Sequence, residues 1–219
     1  MRRVPQPPPR ALQAVLWDFG GVITASPFEA FARYEQDNNL PAGFIRKLNA
    51  TNPDRNAWAR LERSEVSVDE FVVLFEAEAE AAGAKVDAAE LLGLIRGEIR
   101  PEMVEAVRRC HDRLKTALLT NNFVVPGGEA QEGYQELLAH FDVVVESSSV
   151  GHRKPDPRFY EIALEALAVE PEEAVFLDDL GINLKPARAL GMRTIKVVEP
   201  DRALRELEEL VGFPLSDGD

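Results

Sequence analysis

Among its 219 residues the chain has a single cysteine, Cys110, so no intrachain disulfide can form. Cys110 lies in a helical stretch, EAVRRCHDRL, without neighbours that would stabilise a thiolate, and it reads as a buried, inert thiol. That usage fits a reducing compartment. Long apolar runs are missing too, and none approaches the roughly 20 residues needed to span a bilayer. The first ten residues, MRRVPQPPPR, open with two arginines, but prolines follow where a signal peptide needs an apolar segment. They read as a flexible lead-in to a cytoplasmic protein. Positive charge is also short, and the formal net charge is −13. A nucleic-acid binder needs a basic face, so this balance argues against that role. An anionic substrate would have to be held by a locally positive site, built from a few cations or a metal.

What is present suits an ordinary folded chain with room for one large core, or a core and a modest insertion. Five short apolar runs stand out: Ala14 to Asp18, Thr116 to Thr120, Val143 to Glu146, Ala174 to Asp178 and Thr194 to Val198. Continuous apolar character over so few residues predicts parallel strands buried on both faces. Between the later runs, Glu129 to His140, Pro157 to Ala168 and Leu184 to Leu190 repeat apolar residues at helical intervals. The alternation predicts an α/β fold with a doubly wound parallel sheet.

About a hundred residues separate the first two runs, far more than one crossover needs. Helical patterns fill that interval at Phe28 to Asn38, Gly43 to Asn49, Arg55 to Arg63, Val68 to Gly83 and Ala88 to Arg96. Ser67-Val-Asp-Glu70 has the form of a capping box. The expected organisation is therefore a core of residues 11–25 and 100–219, with a helical cap of residues 26–99 over the strand ends.

In open α/β sheets, ligands bind outside the carboxyl ends of the strands. Three predicted strands end there in Asp18, Thr120-Asn121-Asn122 and Asp178-Asp179, and the loop Gly151-His-Arg-Lys-Pro-Asp156 supplies Lys154. Each piece alone has a plainer explanation. An aspartate before Gly-Gly is usually a turn residue, a pair such as Asp178-Asp179 can serve simply to cap a helix, and a loop lysine is usually solvated. Their order and convergence carry the signal.

This combination resembles the haloacid dehalogenase superfamily, with WDFGGVIT, LLTNN, GHRKPDPRFY and FLDDLGINLKPARALGM standing for its four motifs. The last stretch is similar to the amino-terminal phosphatase domain of soluble epoxide hydrolases and to a domain in an acyl-CoA dehydrogenase family. NAWARLERSEVSVDEF resembles the helical cap of that branch, and no G-x-S-x-G nucleophile elbow follows. The resemblance implies a hydrolase in which Asp18 attacks the phosphorus of a small phosphorylated substrate and forms an aspartyl-phosphate. It implies Mg²⁺ held by Asp18, the carbonyl of Gly20 and Asp179, with Asp178 behind them and Asn183 steadying that loop. Thr120 and Asn121 would bond the phosphoryl oxygens, and Lys154 would offset the charge between nucleophile and phosphate.

Gly20 departs from the usual pattern, which has a second aspartate there as general acid and base. Two other readings follow from that departure. One is a 2-haloacid dehalogenase, which needs no metal; the other is a phosphate- or partner-binding domain without turnover. His111 and His140 read as helix-end residues and His152 as a solvated loop residue. Arg46, Lys47, Arg55, Arg60 and Arg63 read as a solvated helix surface, with one or two able to reach the crevice.

Overall fold

The computed structural model describes residues 10–95, 97–123 and 133–216. In chain order, β1 (Ala14–Trp17) is followed by a tight turn at Phe19–Ile23 and five helices: α1 (Pro27–Asp37), α2 (Phe44–Ala50), α3 (Ala57–Glu62), α4 (Val68–Ala81) and α5 (Ala88–Gly93). Then come α6 (Pro101–His111), β2 (Lys115–Thr120), α7 (Tyr134–Leu138), β3 (Val143–Glu146), α8 (Ser147–Val150) and α9 (Pro157–Leu167). The chain closes with β4 (Ala174–Asp178), α10 (Gly181–Leu190), β5 (Arg193–Lys196) and α11 (Pro200–Val211).

The strands form one sheet in the order β3-β2-β1-β4-β5, every pair parallel. β1 is central and buried at every position because both of its faces are covered. Val15 and Trp17 enter one cluster with Leu118, Met103 and Leu207; Ala14 and Leu16 enter the other with Phe159, Tyr160 and Phe176. That two-sided burial is why the strands read as unbroken apolar runs. Successive strands step away from β1 through β2 and β3, then return through β4 and β5. The sheet therefore reverses beside β1, and a crevice opens there at the carboxyl ends.

The long interval folds as the helical patterns predict. Phe31, Tyr34, Leu61, Phe71 and Phe75 share a third cluster, separate from the two that cover the sheet. Trp58 ties it together with edge contacts to Phe31, Phe71, Phe75 and, from beyond β2, Phe123. The capping box forms: the Glu70 N–H donates to Ser67 Oγ at 3.2 Å and the Ser67 N–H to Glu70 Oε2 at 2.8 Å. The two connections to the sheet run side by side and antiparallel. Ala25 N–H donates to the Glu98 carbonyl at 2.9 Å, and Arg100 N–H to the Ile23 carbonyl at 2.9 Å. Gly97 permits this approach, since a Cβ there would meet the Ala25 carbonyl oxygen at 2.4 Å.

Some boundaries differ from the sequence reading. The last strand ends at Lys196 rather than Val198, which is exposed. The pattern over 129–140 survives as the short α7, its beginning falling outside the described residues. The helix α11, with Leu204 and Leu207 against the sheet, was not anticipated. Cys110 is buried in α6, and burial pushes its thiol up to about 12. Among the described residues, no helix is long and apolar enough to cross a membrane.

Candidate active site

Asp18 continues β1 by one bond, its N–H donating to the Leu177 carbonyl at 2.9 Å. The backbone then turns, and Oδ1 accepts from the Phe19 N–H and from Lys154 Nζ, both at 2.6 Å. Oδ2 takes no hydrogen bond among the described residues. One oxygen is thus anchored and the other is left for chemistry. Lys154 is 2% exposed, contrary to the habit of loop lysines. Its three donors have three acceptors: Asp18 Oδ1, Asp178 Oδ2 at 3.0 Å and the Leu119 carbonyl at 2.9 Å.

The neighbouring aspartates at the end of β4 are used differently. Asp178 is fully buried and saturated: Oδ1 accepts from the Leu180 N–H at 2.8 Å, and Asn183 Nδ2 reaches both oxygens at 3.0–3.1 Å. Asp179 accepts a long bond from the Ser26 hydroxyl, at 3.5 Å, and one from its own backbone N–H. Carboxylate oxygens of Asp18, Asp178 and Asp179 lie within 4.8 Å of one another. Gly21 makes the turn that brings Asp179 in. Its φ is +82°, and a Cβ there would sit 2.3 Å from Asp179 Oδ2. Gly20, at φ −71° with only Pro27 Cδ 3.9 Å away, needs no glycine on either count.

Three carboxylates here share one ammonium, an excess of negative charge that the surroundings resist. Burial raises the pKa of Asp18 well above its ordinary value; Lys154 pulls it down, and Asp178 and Asp179 push it up again. Burial, with Asp178 behind it, raises Asp179 to about 6. Burial also opposes the charge on Lys154, but Asp178 and Asp18 outweigh it and hold that pKa above the usual range. Ionisation of all three carboxylates therefore calls for one more cation. Asp18 and Asp179, with hard oxygen ligands to spare, fit a divalent ion of the Mg²⁺ class.

Thr120 ends β2 beside Asp18, nearly buried, with no side-chain hydrogen bond among the described residues. Asn121 differs from expectation. Its Oδ1 accepts from the Lys154 N–H at 2.8 Å, and its Nδ2 donates to the Lys154 carbonyl at 3.0 Å and to Glu62 Oε2 at 3.3 Å. That side-chain amide is committed to the protein and is not free for a phosphoryl oxygen. The histidines keep their plain roles: His152 Nδ1 pairs with Asp156 at 2.8 Å and His111 Nδ1 with Thr116 Oγ1 at 3.2 Å. In the basic cluster, Arg63 pairs with Glu65 at 2.7 Å and Arg46 lies over the Phe28 ring. The residues from the helical insertion that reach the site are instead Ser26 and Glu62. Neither has a sequence signal, because a serine at a helix cap and a glutamate in a helix are ordinary surface features.

A model of the haloacid dehalogenase-like hydrolase family matches residues 12–191. The chain is 39% identical to acyl-CoA dehydrogenase family member 10 of Mus musculus over 95% of its own length and 20% of that protein. It is 35% identical to bifunctional epoxide hydrolase 2 of Sus scrofa over 94% of its length and 40% of that protein. The chain thus spans less than half of either. A phosphatase of Mycobacterium tuberculosis is 30% identical, with 91% of this chain and 95% of that one covered. Among solved structures, a family enzyme of Bacteroides thetaiotaomicron in complex with magnesium and inorganic phosphate superposes at a TM-score of 0.59, with 16% identity over 85% of this chain and 94% of that one. On these grounds the chain is a member of the haloacid dehalogenase-like hydrolase family.

Proposed function

We propose that the chain is a Mg²⁺-dependent phosphatase acting on a small phosphorylated metabolite, with residues 11–25 and 100–219 as its core and 26–99 as its cap. The observation that carries this reading is the state of Asp18, one oxygen anchored by Lys154 and the Phe19 N–H, the other open. The open oxygen would attack phosphorus in line; the P–O ester bond breaks, and the leaving oxygen takes a proton from water. A second water then attacks the phosphorus of the aspartyl-phosphate, releasing phosphate and restoring the carboxylate. Asp18, the Gly20 carbonyl and Asp179 would hold the Mg²⁺, with Asp178 and Asn183 fixing the geometry behind them. When bound, the ion offsets the negative charge gathered by nucleophile and phosphoryl group. Lys154 would do the same from the protein side, and the Thr120 hydroxyl would donate to a phosphoryl oxygen.

Gly20 sets the limit on this chemistry. A positioned acid contributes about 10²- to 10⁴-fold, so without one the rate should depend steeply on the pKa of the leaving group. Aryl, acyl and anomeric sugar phosphates should turn over faster than simple alkyl phosphates. The test is a graded series of phosphate esters, with and without Mg²⁺, on the wild type and on Gly20→Asp, which the backbone there accommodates. Metal-dependent turnover with a steep slope in the wild type and a flatter one in the variant is the expected result. No hydrolysis of any ester with Mg²⁺ would overturn the proposal.

A further inference from the structure

The insertion and the sheet meet at a second polar cluster, beside Lys154 but outside the catalytic carboxylates. Glu62, the last residue of α3, is 7% exposed. It accepts from Trp58 Nε1 at 2.9 Å, from Arg153 Nε at 2.5 Å and from Asn121 Nδ2 at 3.3 Å. Arg153 also donates to the Pro53 carbonyl at 2.9 Å, and the Ser64 hydroxyl donates to the Ser148 carbonyl at 3.1 Å. Residues 53–64 of the insertion are thereby stapled to the loop that carries Lys154.

The partners of Glu62 are specific. Trp58 belongs to the aromatic cluster inside the insertion, so the carboxylate is positioned from that side. Arg153 is the residue before Lys154. Asn121 brackets the Lys154 main chain, taking its N–H on Oδ1 and giving Nδ2 to its carbonyl. Glu62 therefore touches both elements that hold the Lys154 backbone, and among the described residues it makes no bond to the Lys154 ammonium. A buried carboxylate is costly unless paired, so Glu62 leaving its seat would strand Arg153 and loosen Asn121 together.

We infer that Glu62 is a positioning residue through which the seated insertion fixes Lys154. Docking of residues 53–64 tightens Arg153 and Asn121, and these set the Lys154 main chain so that its ammonium stands between Asp18 and Asp178. Turnover then requires the insertion to be seated, without Glu62 meeting the substrate. The kinetic part of this inference rests on the phosphatase reading; the structural part does not.

The test uses Glu62→Gln, Glu62→Ala and Arg153→Met on the full chain. Two readouts are taken: steady-state hydrolysis of an aryl phosphate with Mg²⁺, and amide hydrogen exchange. Expected are a fall in kcat of about tenfold for Glu62→Gln, a larger fall for Glu62→Ala, and KM within about threefold, the pattern of lost transition-state positioning. Exchange should quicken across residues 119–123 and 147–156 while β1 and β4 stay protected. Combining Glu62→Gln with Arg153→Met should cost no more than the worse single change, since both cut one connection. Unchanged kcat, a raised KM alone, or a fall in kcat without faster exchange would each overturn the inference. Should the wild type hydrolyse nothing, the phosphatase reading fails by itself. The exchange result then decides here: faster exchange around Lys154 supports the inference, and unchanged exchange overturns it.

Discussion

At the amino ends of the strands His111, Thr116 and Asp142 form a polar group, with the His140 ring 6.1 Å from that of His111. At the carboxyl ends Asp18, Lys154, Asp178 and Asp179 form another. Above the buried Thr116, His111 and Asp142 line an open concavity of about 530 Å³ with Leu12, Gln13 and Lys115, and both stay partly in water. The second is packed so tightly that Asp178 and Lys154 are almost wholly removed from solvent. The open hollow and the concentrated charge lie at opposite ends of the strands. Charge withdrawn from water and left unbalanced stores free energy that a reaction can use. A solvated pair stores little. The difference supports the carboxyl ends as the seat of the proposed chemistry, despite the open hollow at the other.

Several substitutions sharpen or break that contrast. Asp18→Asn keeps the shape and removes the proposed nucleophile; kcat should fall by at least about 10³-fold, with folding intact by circular dichroism. His111→Ala at the other end should leave kcat within about twofold, and an equal loss from both would dissolve the comparison. Lys154→Met deprives three carboxylates of their one cation. By analogy with broken buried pairs it should cost about 3–5 kcal/mol in denaturant melts of the metal-free protein. His111→Ala should cost within about 0.5 kcal/mol, as a surface change.

The adjacent glycines provide a smaller step. Gly21→Ala meets both a positive φ and Asp179, and should cost about 1–3 kcal/mol. Gly20→Ala meets neither and should change stability by less than about 1 kcal/mol. A further effect expected is one of pH. Because the folded-state pKa of Asp179 is raised from 3.8 to about 6, the native metal-free protein binds its proton more tightly than the unfolded chain. Its stability should therefore decline as pH rises through that window, and saturating Mg²⁺ should remove or reverse the decline. Parallel melts across the window, with and without Mg²⁺, would show it; a rise with pH in the metal-free protein would contradict the assignment.

Much of this was legible in the residues alone. Buried parallel strands leave unbroken apolar runs, so β1 and β4 and the aspartates at their ends could be placed without coordinates. The spacing of Phe71, Phe75 and Ala79 likewise announced α4 behind its capping box. Other features escaped for physical reasons. A carboxylate such as Glu62 is written like any solvated helix residue, and only its three partners, distant in sequence, reveal its burial. The resemblance implies a phosphate ligand at Asn121, while the bracketing of Lys154 by its side chain depends on a loop 33 residues away. Gly20 and Gly21 are indistinguishable as letters, and backbone geometry separates them. The amphipathic α11 is readable from Leu204, Leu207 and Leu210, but it lies beyond the last of the four motifs.

The paired connections at Ala25 and Glu98 have a consequence for how such a protein can change. Everything between them leaves the sheet and returns to it at one spot, closed by main-chain hydrogen bonds and a glycine that admits the close crossing. The insertion is therefore a cassette: a helical module of different make, with its ends equally near, could occupy the same doorway while β1, β2 and β4 kept their positions. Recognition and bond-breaking would then diversify on separate schedules, the first by exchange of whole modules, the second by single residues at the strand ends.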